Sequence, residues 1–166
     1  MLILDDLQIL QPDAGFTNWT DLPLENVGQI EIVKGAASAL YGSAAMNGVI
    51  HFRTIKPSLE PFTSITLNSR FFLKPSNDKE WWGRDQGNGV IPSDIALSFA
   101  HRRKLKTFDV VLGGMYRNEL SYNKNTGSEY VRMDGSVVKH LSDRLILGLG
   151  FNINSGKSSS FFYWDG

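Results

Sequence analysis

The feature that most constrains this chain is a strict period of two between residues 144 and 154. Leu145, Leu147, Leu149, Phe151 and Ile153 fall on one side, and Gly148, Gly150, Asn152 and Asn154 on the other. Successive side chains alternate faces only in an extended strand, so this segment is half apolar β-strand. The pattern recurs. Ile65, Leu67 and Phe71 alternate with Thr66, Asn68 and Arg70, and Ile95, Leu97 and Phe99 with Ser98 and small residues. Phe108, Val110, Leu112 and Tyr116 alternate with Asp109, Gly113 and Arg117, and Val131, Met133 and Val137 with Arg132, Asp134 and Ser136. Strands are therefore expected near 62–73, 94–101, 107–117, 129–139 and 144–154.

The connections between them alternate in length. Residues 102–106 and 140–143 are short links, whereas 75–93 and 118–128 are long and polar. No apolar run approaches the ~20 residues of a membrane-spanning helix. The apolar faces can be hidden in two ways, against a second sheet or against lipid. Periodicity alone leaves both open. Regular long and short connections are the habit of outer-membrane barrels, with short turns on the periplasmic side.

Before Lys56-Pro57 the chain has a different character. Residues 1–4 form a short apolar strand that stops at the turn pair Asp5-Asp6. A second strand is expected at 8–10, and 11–21 is a loop rich in Pro, Asp, Gly and Asn. Residues 22–27 begin a helical turn near Pro23. A strand at 29–34 is broken by Gly35, a short helix covers 36–41 with Gly42 as its cap, and a strand covers 48–54. There is no basic leader with a cleavage site, and both ends read as cut.

Composition narrows the function classes. Lys+Arg and Asp+Glu both number 17, so no basic face for nucleic acid is expected. Cysteine is absent, which removes disulfides, thiolate catalysis and zinc–thiolate sites. His51, His101 and His140 are far apart and not at metal-ligand spacing. Gly35, Gly42 and Gly48 match neither a phosphate loop nor a dinucleotide fingerprint. No cofactor is expected.

Residues 22–50 carry a longer signal. Ile30-Glu31-Ile32-Val33-Lys34-Gly35, then Ser38-Ala39-Leu40-Tyr41-Gly42, then small residues and Asn47-Gly48-Val49-Ile50, closely resemble the end of the plug domain of TonB-dependent receptors. Residues 1–6 are similar to that family's earlier plug strand, with Asp6 where Gly is usual. The wording of 40–50, with Trp81-Trp82 in the first long connection, looks most like receptors of the Bacteroidota.

The resemblance implies a mainly β chain: the C-terminal part of a plug (1–55), then antiparallel hairpins of an incomplete transmembrane β-barrel (56–166). Lys34, Gly35, Leu40, Tyr41, Gly42, Asn47 and Gly48 are the plug's structural motif. The small residues Ala36, Ala37, Ala39, Ala44 and Ala45 would let backbone approach the barrel wall. Lys34 and Arg53 can pair with carboxylates lining the lumen, with no particular partner marked by the sequence.

The implied function is binding of a scarce extracellular nutrient and import across the bacterial outer membrane, without bond chemistry. The implied partners are the TonB complex, reached through residues outside this stretch, outer-membrane lipid, and a small ligand such as a siderophore, cobalamin, glycan or peptide. Residues 48–54 depart from the ending common among glycan importers with a lipoprotein lid, which lowers the glycan reading. The loop bearing Asp13, Phe16, Asn18 and Trp19 is the candidate ligand contact, since the family's matching loop looks outward. Phe16 and Trp19 could instead pack the plug against the wall. Trp81 and Trp82 fit a ligand loop or a membrane-interface girdle equally, and Phe161, Phe162, Tyr163 and Trp164 fit the girdle better. The rival readings are a passive outer-membrane barrel or adhesin, and a soluble β-sandwich binding module.

Overall fold

The computed structural model describes residues 1–9, 19–35, 38–42, 45, 47–73, 91–121, 126–142 and 144–159. Two sheets account for its regular structure, a four-stranded one ordered β2-β1-β4-β3 and a five-stranded one ordered β5-β6-β7-β8-β9.

The smaller sheet is built from β1 (Leu2–Leu4), β2 (Leu7–Gln8), β3 (Val27–Lys34) and β4 (Gly48–Thr54). β1 and β2 form a tight hairpin through Asp5 and Asp6, both at positive φ (44° and 71°). Short polar side chains tolerate that geometry best among non-glycine residues. Asp5 also accepts from the Thr54 backbone N–H at 2.8 Å, so the turn is tied to the end of β4. β1 lies parallel to β4, and β3 lies antiparallel to it. Leu2, Leu22 and Phe52 are buried together on one face, and Ile3, Ala45 and Val49 on the other. Between β3 and β4 stands a short helix, α1 (Ser38–Tyr41), closed by Gly42 at φ 85°. Gly48 opens β4 at φ 115°, and a Cβ there would sit 2.5 Å from the Val33 carbonyl oxygen. Both conformation and space demand glycine at that position.

The larger sheet is a meander of β5 (Phe62–Phe71), β6 (Ser93–Leu105), β7 (Phe108–Leu120), β8 (Gly127–Ser142) and β9 (Leu145–Ser159). Every neighbouring pair is antiparallel. The register lines up the apolar positions across all five strands. One row runs Ile65, Phe99, Gly114, Met133, Ile153, and the next Thr63, His101, Leu112, Gly135, Phe151. Leu149 is 79% exposed and Ile65 72%. From Leu145 to Ile153 the apolar side covers about 27 Å of strand. A tilt of about 40° brings that to about 21 Å, near the apolar band of an outer-membrane barrel.

Several strand ends differ from the alternation. β6 runs through Leu105, and the turn is 106–107 rather than 102–106. β8 continues to Ser142. Charged residues near a turn can stay in the ladder because backbone pairing does not depend on side-chain polarity. The strand expected at 8–10 is Leu7–Gln8, and Trp19–Asp21 in the expected loop forms a 3-10 turn. Two contacts are corrected. Ala45 packs inside the small sheet's own core rather than on the wall. Arg53 pairs with Glu31 on adjacent β3, its Nε 3.0 Å from Oε1, rather than with a wall carboxylate. Glu31 and Arg53 stand in neighbouring registers of β3 and β4, which makes the local partner the cheaper one in entropy.

Candidate functional site

The inner face of the larger sheet is where the two sheets meet. On β8 the side chains of Tyr130, Arg132 and Asp134 alternate onto this face, with rungs about 7 Å apart. The segment 19–26 of the small-sheet unit descends along them. Tyr130 donates its hydroxyl to Asp21, and Asn152 on β9 donates to the Asp21 backbone oxygen at 3.2 Å. Asn26 donates to the Leu112 carbonyl at 3.2 Å and faces Asp134 Oδ2 at 3.5 Å. Arg102 on β6 donates to the Glu25 carbonyl at 3.4 Å.

Arg132 is the centre of this contact and is 2% exposed. A guanidinium has five N–H donors and no acceptor. Here all five have partners. Nη1 donates to the carbonyls of Thr20 at 2.8 Å and Leu22 at 2.5 Å. Nη2 faces Glu25 Oε1 at 2.5 Å and Oε2 at 2.6 Å, and Nε faces Asp134 Oδ1 at 3.4 Å. A buried charge is tolerable only when paired and hydrogen-bonded, and this one is fully so. Four of its five acceptor contacts belong to the small-sheet unit, so the wall strand is satisfied only with that unit seated.

Gly113 on β7 makes the seat possible. A Cβ there would stand 2.5 Å from Asp134 Oδ2 and 2.6 Å from Asn26 Nδ2. The missing side chain is a notch filled by the Asn26 amide.

Of the loop residues picked from sequence, Trp19 is described, and Asp13, Phe16 and Asn18 lie outside the described residues. Trp19 is 59% exposed and meets Phe52 edge-on, ring centroids 6.4 Å apart at 82°. Trp81 and Trp82, and the aromatics at 161–164, also lie outside the described residues. Trp19, Lys34, Asn47 and Gly48 come together around one open cleft of about 380 Å³. Tyr41 packs against the Ile3–Val49 core, Gly35 turns the chain at φ 86°, and Leu40 is exposed. In the small sheet, the Arg53 guanidinium beside Glu31 holds that carboxyl below its ordinary value. No group of three or more metal-ligating side chains occurs among the described residues.

Glu25, Asn26, Tyr130, Arg132, Asp134 and Asn152 were not foreseen as a site. The one available signal was the alternation that puts Arg132 and Asp134 on the polar side of an otherwise apolar strand. Their partners, more than a hundred residues earlier in the chain, leave no local trace.

A small mixed sheet is seated on the polar face of an antiparallel wall whose other face is apolar, the arrangement of a plugged β-barrel. Residues 1–49 match the TonB-dependent Receptor Plug Domain. The chain is 29% identical over 135 residues to the probable TonB-dependent siderophore receptor PirA of Acinetobacter baumannii, covering 79% of this chain and 16% of that protein. It is 38% identical over 55 residues to the vitamin B12 transporter BtuB of Vibrio vulnificus, covering 33% of this chain and 9% of that protein. Among solved structures, the siderophore receptor PirA from Pseudomonas aeruginosa superposes with a TM-score of 0.70 at 18% identity, covering 95% of this chain and 26% of that one. The A. baumannii PirA structure gives 0.67 at 21% identity, over 95% of this chain and 23% of that one. The chain is similar to TonB-dependent receptors, its residues 1–49 matching their plug domain, and it spans about a sixth of the length of the curated PirA relative.

Proposed function

We propose that this chain is the plug-to-barrel part of an outer-membrane receptor that binds a scarce nutrient from outside and imports it to the periplasm with energy from the TonB complex. The observation that carries the reading is the two-faced wall: an inner face whose buried Arg132 is satisfied by the plug unit, and an outer face of exposed apolar rows. A soluble sandwich would have no reason to leave the second face bare. A passive barrel would have no reason to carry the plug unit. We take 1–55 as the plug and 56–166 as barrel, with no enzymatic step. The Bacteroidota likeness rests on the wording of residues 40–50, and the relatives above come from Acinetobacter, Vibrio and Pseudomonas.

The ligand is proposed to meet the loop bearing Asp13, Phe16, Asn18 and Trp19. Support comes from the end of the wall to which that loop leads. The turn Trp19–Asp21 is held by Tyr130 and Asn152, on the side of the long connections 72–92 and 121–126. In an outer-membrane barrel that side faces outward. Trp81 and Trp82 belong to one of those connections. A ferric siderophore or a cobalamin is the first ligand class to try, given the names of the relatives.

The test is uptake by cells expressing the full-length receptor, using labelled ferric siderophores, cobalamin, oligosaccharides and peptides, with and without a functional TonB complex. Accumulation of one class that needs TonB is expected. Accumulation indifferent to TonB would instead mark a passive barrel.

A further inference from the structure

The outer face of the wall is not uniform from end to end. At the end of the long connections the row Ser69, Ile95, Asn118, Glu129 and Lys157 carries one charge of each sign, and the last described row, Phe71, Ser93, Leu120, Gly127 and Ser159, carries none. At the short-turn end the charges on the outward face of the strands are both positive. Arg103 lies in the row of Val110, Val137 and Leu149, and Lys139 in the row of Leu105, Phe108 and Leu147. Both are exposed, as are Lys106 and Arg144 in the two short turns. Lys139 Nζ stands 5.3 Å from the centre of the Phe108 ring, so its stem lies along apolar surface while its ammonium sits at the lower margin of the apolar band. Among the described residues no carboxylate forms an ion pair with any of these four cations. The nearby acid Asp109 faces inward and is held by His140 at 2.8 Å. Glu60, just before β5, is exposed at the same end, and Asp143 lies outside the described residues.

We propose that Arg103, Lys106, Lys139 and Arg144 form a headgroup site for anionic phospholipid in the periplasmic leaflet. This rests on the outer-membrane reading above. Two strand spacings separate β6 from β8, about 10 Å, and the two cationic rows are about 7 Å apart along the strands, or about 5 Å in height at a tilt of about 40°. Long basic side chains can close on one diacyl headgroup or a paired one across that span. The apolar rows directly above would take its acyl chains, and cations at this depth attract anionic lipid electrostatically. The chemistry selects a phosphate without a compensating amine, hence phosphatidylglycerol or cardiolipin over phosphatidylethanolamine.

The test uses the full-length receptor in a nonionic detergent, with phosphatidylglycerol, cardiolipin, phosphatidylethanolamine or lipopolysaccharide added and bound lipid counted by native mass spectrometry. The anionic phospholipids should be retained about tenfold better than phosphatidylethanolamine. The combined R103Q, K106Q, K139Q and R144Q variant should lose that preference. The charge-keeping pair R103K and K139R should retain it, as should K157Q at the other end. Equal retention of the phospholipids by the wild type, or an unchanged preference in the fourfold variant, overturns the proposal. So does lipopolysaccharide outcompeting phospholipid at these residues. If the fourfold variant does not fold, the wild-type preference and the R103Q and K139Q pair decide. A fluorophore at Leu149, quenched by lipids brominated on their acyl chains, separates the two readings. Quenching without headgroup preference sinks only the lipid site, and no quenching sinks the membrane reading itself.

Discussion

The Nη2 group of Arg132 on β8 sits against both carboxylate oxygens of Glu25, at 2.5 and 2.6 Å, and joins the plug unit to the barrel wall. The pair is buried on the Arg132 side and largely buried on the Glu25 side. Removing one member of such a pair leaves an uncompensated charge, at about 3–5 kcal/mol. Arg132→Met should therefore loosen the plug unit, because Glu25 and the Thr20 and Leu22 carbonyls all lose their donor. Hydrogen exchange of residues 19–35 in the full-length receptor should speed up by about two orders of magnitude or more, with the barrel still heat-modifiable. Protection equal to wild type would mean that the plug is held elsewhere.

The notch at Gly113 gives a second, steric test. Gly113→Ala drives a methyl group into Asp134 and Asn26, at 2.5 and 2.6 Å, from two elements that cannot both retreat. Overpacking of this kind costs about 1–3 kcal/mol. Gly114→Ala, on the opposite face, meets its nearest atom at 3.4 Å and should be nearly silent. Passage of large antibiotics into cells expressing each variant checks the difference. Leakage with Gly113→Ala and none with Gly114→Ala is expected.

The outer face predicts a depth-dependent penalty. Ile153 shares its row with Ile65, Phe99 and Met133, two rows above that of Arg103 and two below that of Lys157, in the middle of the apolar band. Ile153→Arg should cost about 2–4 kcal/mol of barrel stability. Asn154→Arg, on the inner face beside Arg132 in register, should cost well under half of that at the level of barrel folding. Equilibrium folding into lipid vesicles would measure both, and similar penalties would contradict the facing of β9.

Sequence legibility divides along the range of the interactions. Facing was readable for all five long strands, because alternation at Leu145–Ile153 or Tyr130–Ser136 is a local property. The plug motif was readable because Gly35, Gly42 and Gly48 carry backbone geometries that little else can supply. The Glu25–Arg132 contact was not, since residues 107 apart in the chain meet only after both sheets exist. The Arg53–Glu31 pair across β4 and β3 is likewise not marked by the alternation of either strand. Strand ends at Leu105 and Ser142 escaped because a ladder continues past the last apolar side chain.

The Glu31–Arg53 pair predicts a pH response in the plug sheet. The Arg53 guanidinium, through its hydrogen bond, lowers the Glu31 carboxyl from its ordinary 4.5. A carboxyl depressed in the folded state contributes stability that is present above 4.5 and is lost as pH falls through the lowered value. Both side chains are well exposed, so solvent screening keeps the effect small. Amide protection along β3 and β4 should weaken on acidification below that point, and Glu31→Gln should remove that part of the slope. An identical slope in the variant would assign the acid response to other carboxyls.

Trp19 provides the decisive test of the ligand loop. Its ring is 59% exposed although it touches Phe52 edge-on, and it borders the cleft shared with Lys34, Asn47 and Gly48. An aromatic ring left that open supplies stacking area to a ligand at little entropic cost. Were it a packing residue, its removal would act on stability, since Phe52 is buried in the core beneath it. The two roles separate cleanly in the full-length receptor. Trp19→Ala, alone and with Phe16→Ala, should weaken whole-cell binding of the transported ligand by about tenfold, or roughly 1.4 kcal/mol. Surface abundance and heat-modifiability should be unchanged. Trp19→Phe should recover most of the affinity, because it keeps a ring above Phe52. Normal affinity in the alanine variants would remove the loop from the binding site. Loss of folded receptor, with Trp19→Phe restoring it, would give the residue to the plug core instead.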